Sequence, residues 1–262
     1  MDGLRKQSIQ AIVICGGEFH DFDFARLEIL KLLAEDDRVR TRVFECYDAA
    51  LEALPSADFI ISYTSNRVGS TETQAAFRRF VENGGNWFAL HGTNSLILID
   101  ENIEDGEPRP LVHAPRAAPT LMQVLGSQFI AHPPIGRYSI QVTNLEDPIV
   151  QGLEAFEVTD ELYLMELHGE VETLLHCDFS GEATGFAEAE WEVKKHPVMY
   201  RKQLGAGCVL YLTLGHCRGH YDMAGITDFY PQIERGAWEE ATFYELLRRG
   251  IHWAKKEVVT ES

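Results

Sequence analysis

Four times before residue 92, a short apolar run is followed by a stretch of helical spacing or a Gly-containing turn, and this alternation limits the fold more than any other feature of the chain. Gln10-Ala11-Ile12-Val13-Ile14-Cys15 closes on Gly16-Gly17, as a strand buried on both faces does when it enters a tight turn. Phe24, Leu27, Leu30 and Leu33 then form a helical stripe. Thr41 to Cys46 predicts a second strand, Ala49 to Leu54 a short helix stopped by Pro55, and Ala57 to Tyr63 a third strand. Ser70 is placed to cap a helix carrying Ala75, Ala76, Phe80 and Val81, which ends at Asn83-Gly84-Gly85. A fourth strand, Asn86 to Leu90, runs into His91-Gly92. Such alternation with short connections implies right-handed strand–helix–strand units and a parallel sheet. Ligands of such sheets bind outside the carboxyl ends of the strands, here Gly16 to Asp21, Tyr63 to Arg67 and His91 to Ser95.

The second half reads differently. Asp100 to Pro119 is Pro-rich and predicts a long irregular loop or lid. Tyr138 to Val142, Leu162 to Leu167, Val171 to Cys177, Val198 to Leu204 and Cys208 to Leu214 read as strands. Gly205-Ala206-Gly207 is a hairpin turn and not a dinucleotide fingerprint, because no helix follows it. Trp238 to Lys255 reads as a closing amphipathic helix. The expectation is one α/β domain over residues 1–262, with a mainly parallel sheet and an antiparallel extension.

Composition narrows the partners. Asp and Glu number 41 against 23 Lys and Arg, a formal charge of −18, and no basic run offsets it, so nucleic acid and anionic membranes are poor partners. Five scattered cysteines without a C-x-x-C pair predict a reducing, cytoplasmic setting. No apolar run nears the ~20 residues of a membrane span, and the N-terminus lacks the pattern of a signal peptide.

The chain has no G-x-S-x-G elbow, no phosphate-binding G-x-x-x-x-G-K-[ST] loop and no H-E-x-x-H. Polar residues beside turns remain as candidates: His20-Asp21 after the first strand, His91 after the fourth, His132 after Gln128-Phe129-Ile130, the pair Asp160-Glu161, and His216 after the last strand. Imidazole and carboxylate together exchange protons near neutral pH or hold a transition metal. Each also has a plain structural reading: a histidine as a hydrogen-bonding support, Asp160-Glu161 as a solvated turn. His216 and His220 have the spacing of one helical face, but Gly215 and Gly219 argue against a helix there. Cys15 and Cys208 read as buried thiols, and Trp191 and Trp238 as core or as walls of a sugar pocket.

Several of these segments, in this order, resemble the trehalose-utilisation (ThuA-like) family. They are Val13 to Gly17 with His20-Asp21, Gly84 to His91, Asp147 to Leu153 with Asp160 to Tyr163, Pro197-Val198 with Gly205 to Gly207, Leu214-Gly215-His216, and Gly250 to Ala254. The resemblance implies a flavodoxin-like three-layer sandwich of the class I glutamine-amidotransferase type. At the turn where an amidotransferase carries its nucleophilic cysteine, this chain has His91, so glutamine hydrolysis by a thiolate is not expected. The resemblance further implies catabolism of a sugar or 3-keto-sugar by an isomerase, lyase or hydrolase. The residues matching the family's polar site are His20, Asp21, His91, His132, Asp160, Glu161 and His216. His216 or Glu161 would act as base, while His20 and His91 would act as electrophiles or, with His216, as ligands of a divalent metal such as zinc. The expected partner is a small carbohydrate, with a homodimer or higher homo-oligomer as the assembly, and a non-catalytic sugar-binding or assembly module is the alternative. Gly92-Thr93-Asn94 and the stretch Glu101 to Pro119 depart from the family's usual pattern.

Overall fold

The computed structural model describes residues 8–104, 107–224 and 226–256. Its first half contains β1 (Ile9–Gly17), α1 (Phe22–Leu33), β2 (Val39–Phe44), the single turn α2 (Tyr47–Ala50), β3 (Phe59–Ser65), α3 (Thr71–Glu82) and β4 (Asn86–Leu90). The caps are the ones the sequence offers. Asp21 Oδ1 accepts the amide of Phe24 at the start of α1, and Ser70 Oγ accepts the amide of Thr73 at the start of α3. The predicted helix at residues 49–54 is instead α2 followed by a 3-10 turn at Leu54–Ser56. Pro55 has no amide hydrogen to continue an α-helix from Ala50, but it fits within the 3-10 turn.

The second half adds β5 (Leu98–Glu104), β6 (Glu107–His113), α4 (Pro119–Leu125), β7 (Ser127–Ala131), β8 (Gly136–Val142), β9 (Phe156–Asp160), β10 (Leu164–Leu167), β11 (Glu172–Glu182), β12 (Glu190–Leu204), β13 (Gly207–Leu212) and α5 (Ala241–Ala254). Three expectations need correction here. The stretch predicted as an irregular loop contains the antiparallel pair β5–β6. Pro108 and Pro110 lie two apart in β6, so both can turn their hydrogen-free nitrogens away from the partner strand. Trp238 belongs to a 3-10 turn, Gly236–Glu239, and α5 starts only at Ala241. The strand expected at residues 162–167 is the shorter β10, which pairs with β7 outside the main sheet, and β9 just before it was not anticipated.

The main sheet has nine strands in the order β2-β1-β3-β4-β13-β12-β11-β8-β9. Neighbours from β2 through β13 are parallel, and those from β13 to β9 are antiparallel. Helices cover both faces: α1 packs with α5, and α3 packs with α2 and α4. The central strands are buried throughout, which explains their unbroken apolar runs. This is the doubly wound arrangement of flavodoxin-like sheets, whose crevice opens at the carboxyl ends of β1 and β3.

At that crevice Gly17 has φ +147°, and a Cβ built on it would lie 2.0 Å from the carbonyl oxygen of Ser65 in β3. Two backbones therefore approach more closely than any side chain permits. Gly17→Ala is expected to destabilise the fold by about 3 kcal/mol in denaturant unfolding. A change within experimental error would show that β1 and β3 are not held this tightly.

Candidate active site

Three strand ends each deliver one histidine. His20 follows β1, His91 follows β4, and His216 lies four residues beyond β13. Glu161 follows β9 directly. One donor atom from each of these four buried residues lies within 4.8 Å of all the others.

Local structure aims each ring. His91 opens a 3-10 turn, His91–Asn94, with φ +41°, a left-handed conformation unusual for a residue with a Cβ. Such strain persists where the surroundings enforce it, and it collects at functional turns. Here Tyr63 stacks on the His91 ring at 5.9 Å between centroids, and Tyr211 donates to the His91 carbonyl at 2.6 Å. His91 Nδ1 lies 2.8 Å from the carbonyl oxygen of Thr213, and His20 Nδ1 lies 3.2 Å from that of Glu18. A carbonyl only accepts, so each Nδ1 carries the hydrogen and each Nε2 presents a lone pair. Those two Nε2 atoms face each other at 3.0 Å. His216 is turned the other way. Its Nε2 lies 2.8 Å from Glu234 Oε2, and its Nδ1 points inward, 3.1 Å from Glu161 Oε1, without the alignment of a hydrogen bond. Three imidazole nitrogens and a carboxylate oxygen thus share one small volume, where a proton on His216 Nδ1 or a bound cation offsets their mutual repulsion.

Electrostatics follow from burial. Desolvation, then the neighbouring His91, pushes His20 well below the usual histidine range, which keeps it neutral. Burial opposes the charge of Glu161, yet His132 and His216 hold its carboxyl well below the usual range. His216 is pushed up to about 9: burial works against its charge, but Glu161 and Glu234 outweigh it.

Around the four sit further polar groups. His132, just past β7, places Nε2 3.5 Å from Glu161 Oε1 and keeps 22% of its side chain exposed, against 4% for Glu161. Tyr163 brings its hydroxyl 3.3 Å from His91 Nε2. Arg218 reaches Glu234 Oε2 at 2.9 Å and Glu161 Oε1 at 3.6 Å. A cleft of about 310 Å3, walled by residues Gly17 to Asp23, Tyr221 and Asp222, includes His20 in its lining. Larger grooves, of about 570 and 750 Å3, are lined by residues preceding β3 and β4 and by the α1–β2 turn, away from these strand ends.

Five of the seven residues expected at the site therefore meet: His20, His91, His132, Glu161 and His216. The other two do not face it. Asp21 caps α1 and pairs with Arg235 at 3.0 Å. Asp160 is 1% exposed and accepts the backbone amides of Glu161, Gly215, His216 and Ala237. Asp21 is a candidate in sequence beside His20, and Asp160 as half of the pair Asp160-Glu161, but both carboxylates are used up on backbone amides and, for Asp21, an arginine. His220 stacks on Phe229 and bonds the Tyr230 carbonyl, so it does not share ligands with His216. Trp238 is core, donating its indole N–H to Gly215 O, and Trp191 binds Glu188 O far along the β11–β12 pair. Burial pushes the thiol of Cys15 up to about 12 and that of Cys217 higher still, so neither supplies a thiolate. Glu234 and Arg218 were not anticipated as site residues; they lie 16 apart in an irregular segment without any periodic pattern.

The scaffold and the turn at His91 define a class: an α/β protein of the glutamine-amidotransferase-like fold with a histidine–carboxylate cluster at its strand ends. The family model for trehalose utilisation (ThuA) matches residues 10–254, and the chain belongs to that family. Among solved structures it is similar to a ThuA-like protein from Parabacteroides merdae, at 17% identity over 98% of this chain and 93% of that one, with a TM-score of 0.65. A ThuA-like protein from Bacteroides uniformis matches at 17% identity over 97% and 94% of the two chains, also with a TM-score of 0.65. A cold-adapted β-galactosidase from Rahnella sp. R3 shares the fold at 12% identity and a TM-score of 0.55, over 96% of this chain but only 32% of the enzyme. No curated protein matches the sequence.

Proposed function

We propose that the chain is a carbohydrate-processing enzyme that moves a proton beside the carbonyl of a sugar or 3-keto-sugar, with a divalent metal, zinc foremost, held by His20, His91, His216 and Glu161. One observation carries this reading: three inward imidazole nitrogens and a carboxylate oxygen converge within 4.8 Å of one another. Neutral imidazole and carboxylate are the donors that zinc takes. When bound, such an ion polarises a carbonyl and offsets negative charge growing on its oxygen.

The chain's own residues supply the rest. Backbone carbonyls fix the tautomers of His20 and His91. His132, the one partly exposed histidine of the group, takes the place of His216 or Glu161 as the proton-exchanging base: its Nδ1–H donates to Pro133 O at 2.8 Å, which leaves Nε2, 3.5 Å from Glu161 Oε1, to take the proton. Tyr163 is placed to donate a hydrogen bond to an oxygen beside His91. In a 3-keto-glycoside, loss of the C2 proton followed by departure of the C1 substituent forms a C1–C2 double bond, and return of the proton elsewhere isomerises the sugar instead. Glutamine hydrolysis is not part of the reading, because His91 stands where the nucleophile would be.

The test is an assay with 3-keto-glucose and 3-keto-trehalose, using zinc-loaded and chelated protein. Turnover that depends on metal is the expected result. Saturable binding with unchanged sugar would instead make the protein a binding module, and no turnover under any metal condition would refute the reading.

Metal binding must displace protons from the ligands. Because His216 is pushed up to about 9, it is protonated at pH 7, and zinc binding is expected to release about one proton there. Titration calorimetry in buffers of different ionisation enthalpy reads this number directly. Affinity is expected to fall steadily toward pH 5, as protons compete for His216.

A further inference from the structure

We propose that Glu234 is the positioning residue of this centre: it holds Nε2–H of His216, so that Nδ1 rather than Nε2 faces the other three ligands. This rests on the metal reading above and deepens it. The three histidines are anchored differently. His20 and His91 are held by neutral backbone carbonyls and present Nε2. His216 is held by a carboxylate, at 2.8 Å, and presents Nδ1. A carboxylate behind an imidazole fixes the tautomer and makes the opposite nitrogen a stronger donor.

Glu234 is itself held in place. Its Oε2 also takes Arg218 at 2.9 Å, and its Oε1 accepts the Tyr230 hydroxyl at 2.8 Å. Arg218 in turn is fixed by the carbonyl of Phe19, at 3.2 Å from its Nε, in the loop that carries His20. The backbones of Arg218 and Glu234 exchange two hydrogen bonds, of 2.9 and 2.8 Å, which close the excursion between them. Arg218 and Glu234 thus lie side by side, and Glu234 delivers one carboxylate to the rear of His216. With Glu161 and Glu234 negative and Arg218 positive, the protein places a net charge of −1 around the three imidazoles, which suits a divalent cation.

Two readouts on the full-length protein test this: zinc affinity by competition with a chelator, and the hydrogen-bonded Nε2–H resonance of His216 by proton–nitrogen NMR. Glu234→Ala is expected to weaken zinc binding by about 10- to 100-fold and to abolish the resonance. Glu234→Gln keeps an acceptor oxygen without the charge; it should retain the resonance and fall between the other two in affinity. This ordering also serves if the alanine variant folds poorly. A purely structural role would shift the melting temperature and leave the order of affinities and the resonance unaffected. Wild-type zinc affinity and an intact resonance in Glu234→Ala would overturn the proposal. If the wild type bound no zinc, the metal reading itself would fail, while the resonance would still decide what Glu234 does.

Discussion

Replacing His91 with alanine is expected to remove zinc binding and turnover together while the protein stays folded. His91 lies at the centre of the cluster, 3.0 Å from His20 Nε2 and 3.5 Å from Glu161 Oε2. Without it, two imidazoles and a carboxylate remain around a gap. Changes to groups behind a ligand already cost about 10- to 100-fold in metal affinity, so loss of a ligand should exceed about 100-fold. The fold should tolerate the change, because β4 and the following turn keep their backbone pairing and Tyr211 still holds the residue-91 carbonyl. Glycine at the same place removes the same ligand and relieves the positive φ, so His91→Gly should be more stable than His91→Ala by about 1 kcal/mol. Full activity in either variant would refute the assignment.

Asp160→Ala should have the largest effect on stability. Its carboxylate accepts four backbone amides, from Glu161 at 2.7 Å, Ala237 at 2.8 Å, Gly215 at 3.0 Å and His216 at 3.1 Å. Those amides belong to three separate segments, so one buried group ties the end of β9 to the His216 turn and to the turn before α5. An unmatched buried donor costs about 1–3 kcal/mol, and several here would be left without an acceptor. A loss of at least about 4 kcal/mol in urea unfolding is expected for alanine, and a smaller one for asparagine, whose single oxygen still serves part of the set. A loss below about 1 kcal/mol would show that solvent or neighbouring groups replace the carboxylate readily.

The contrast between Asp160 and Glu161 shows what the sequence can and cannot say. The alternation of apolar runs with helical stripes, closed by glycines, locates the parallel strands, and chemistry follows at their ends because that is where a doubly wound sheet opens. His20, His91 and His216 are legible for this reason, whereas His132 follows β7, which pairs with β10 outside the main sheet. Two adjacent carboxylates at a strand end look alike in sequence, yet one turns into the backbone and the other toward the histidines. That choice depends on which amides lie near, and Gly215 and Ala237 are more than fifty residues away along the chain. Asp21 misleads in the same way, since a helix cap and a catalytic acid are the same residue type in the same place. Glu234 could not be found, because the segment that brings it back is irregular and its partner Arg218 is fixed by tertiary contacts alone. The β5–β6 pair was hidden by its prolines, which argue against a strand except where the nitrogen points away from the partner.

The central claim is that the strand-end cluster is a metal centre, and X-ray absorption on zinc-loaded protein tests it most directly. The account predicts one zinc per chain with nitrogen and oxygen ligands at about 2.0–2.1 Å, the multiple-scattering signature of several imidazoles, and loss of both the metal and the signature in His91→Ala. Zinc content no higher in the wild type than in His91→Ala, or a spectrum without imidazole scattering, would contradict it.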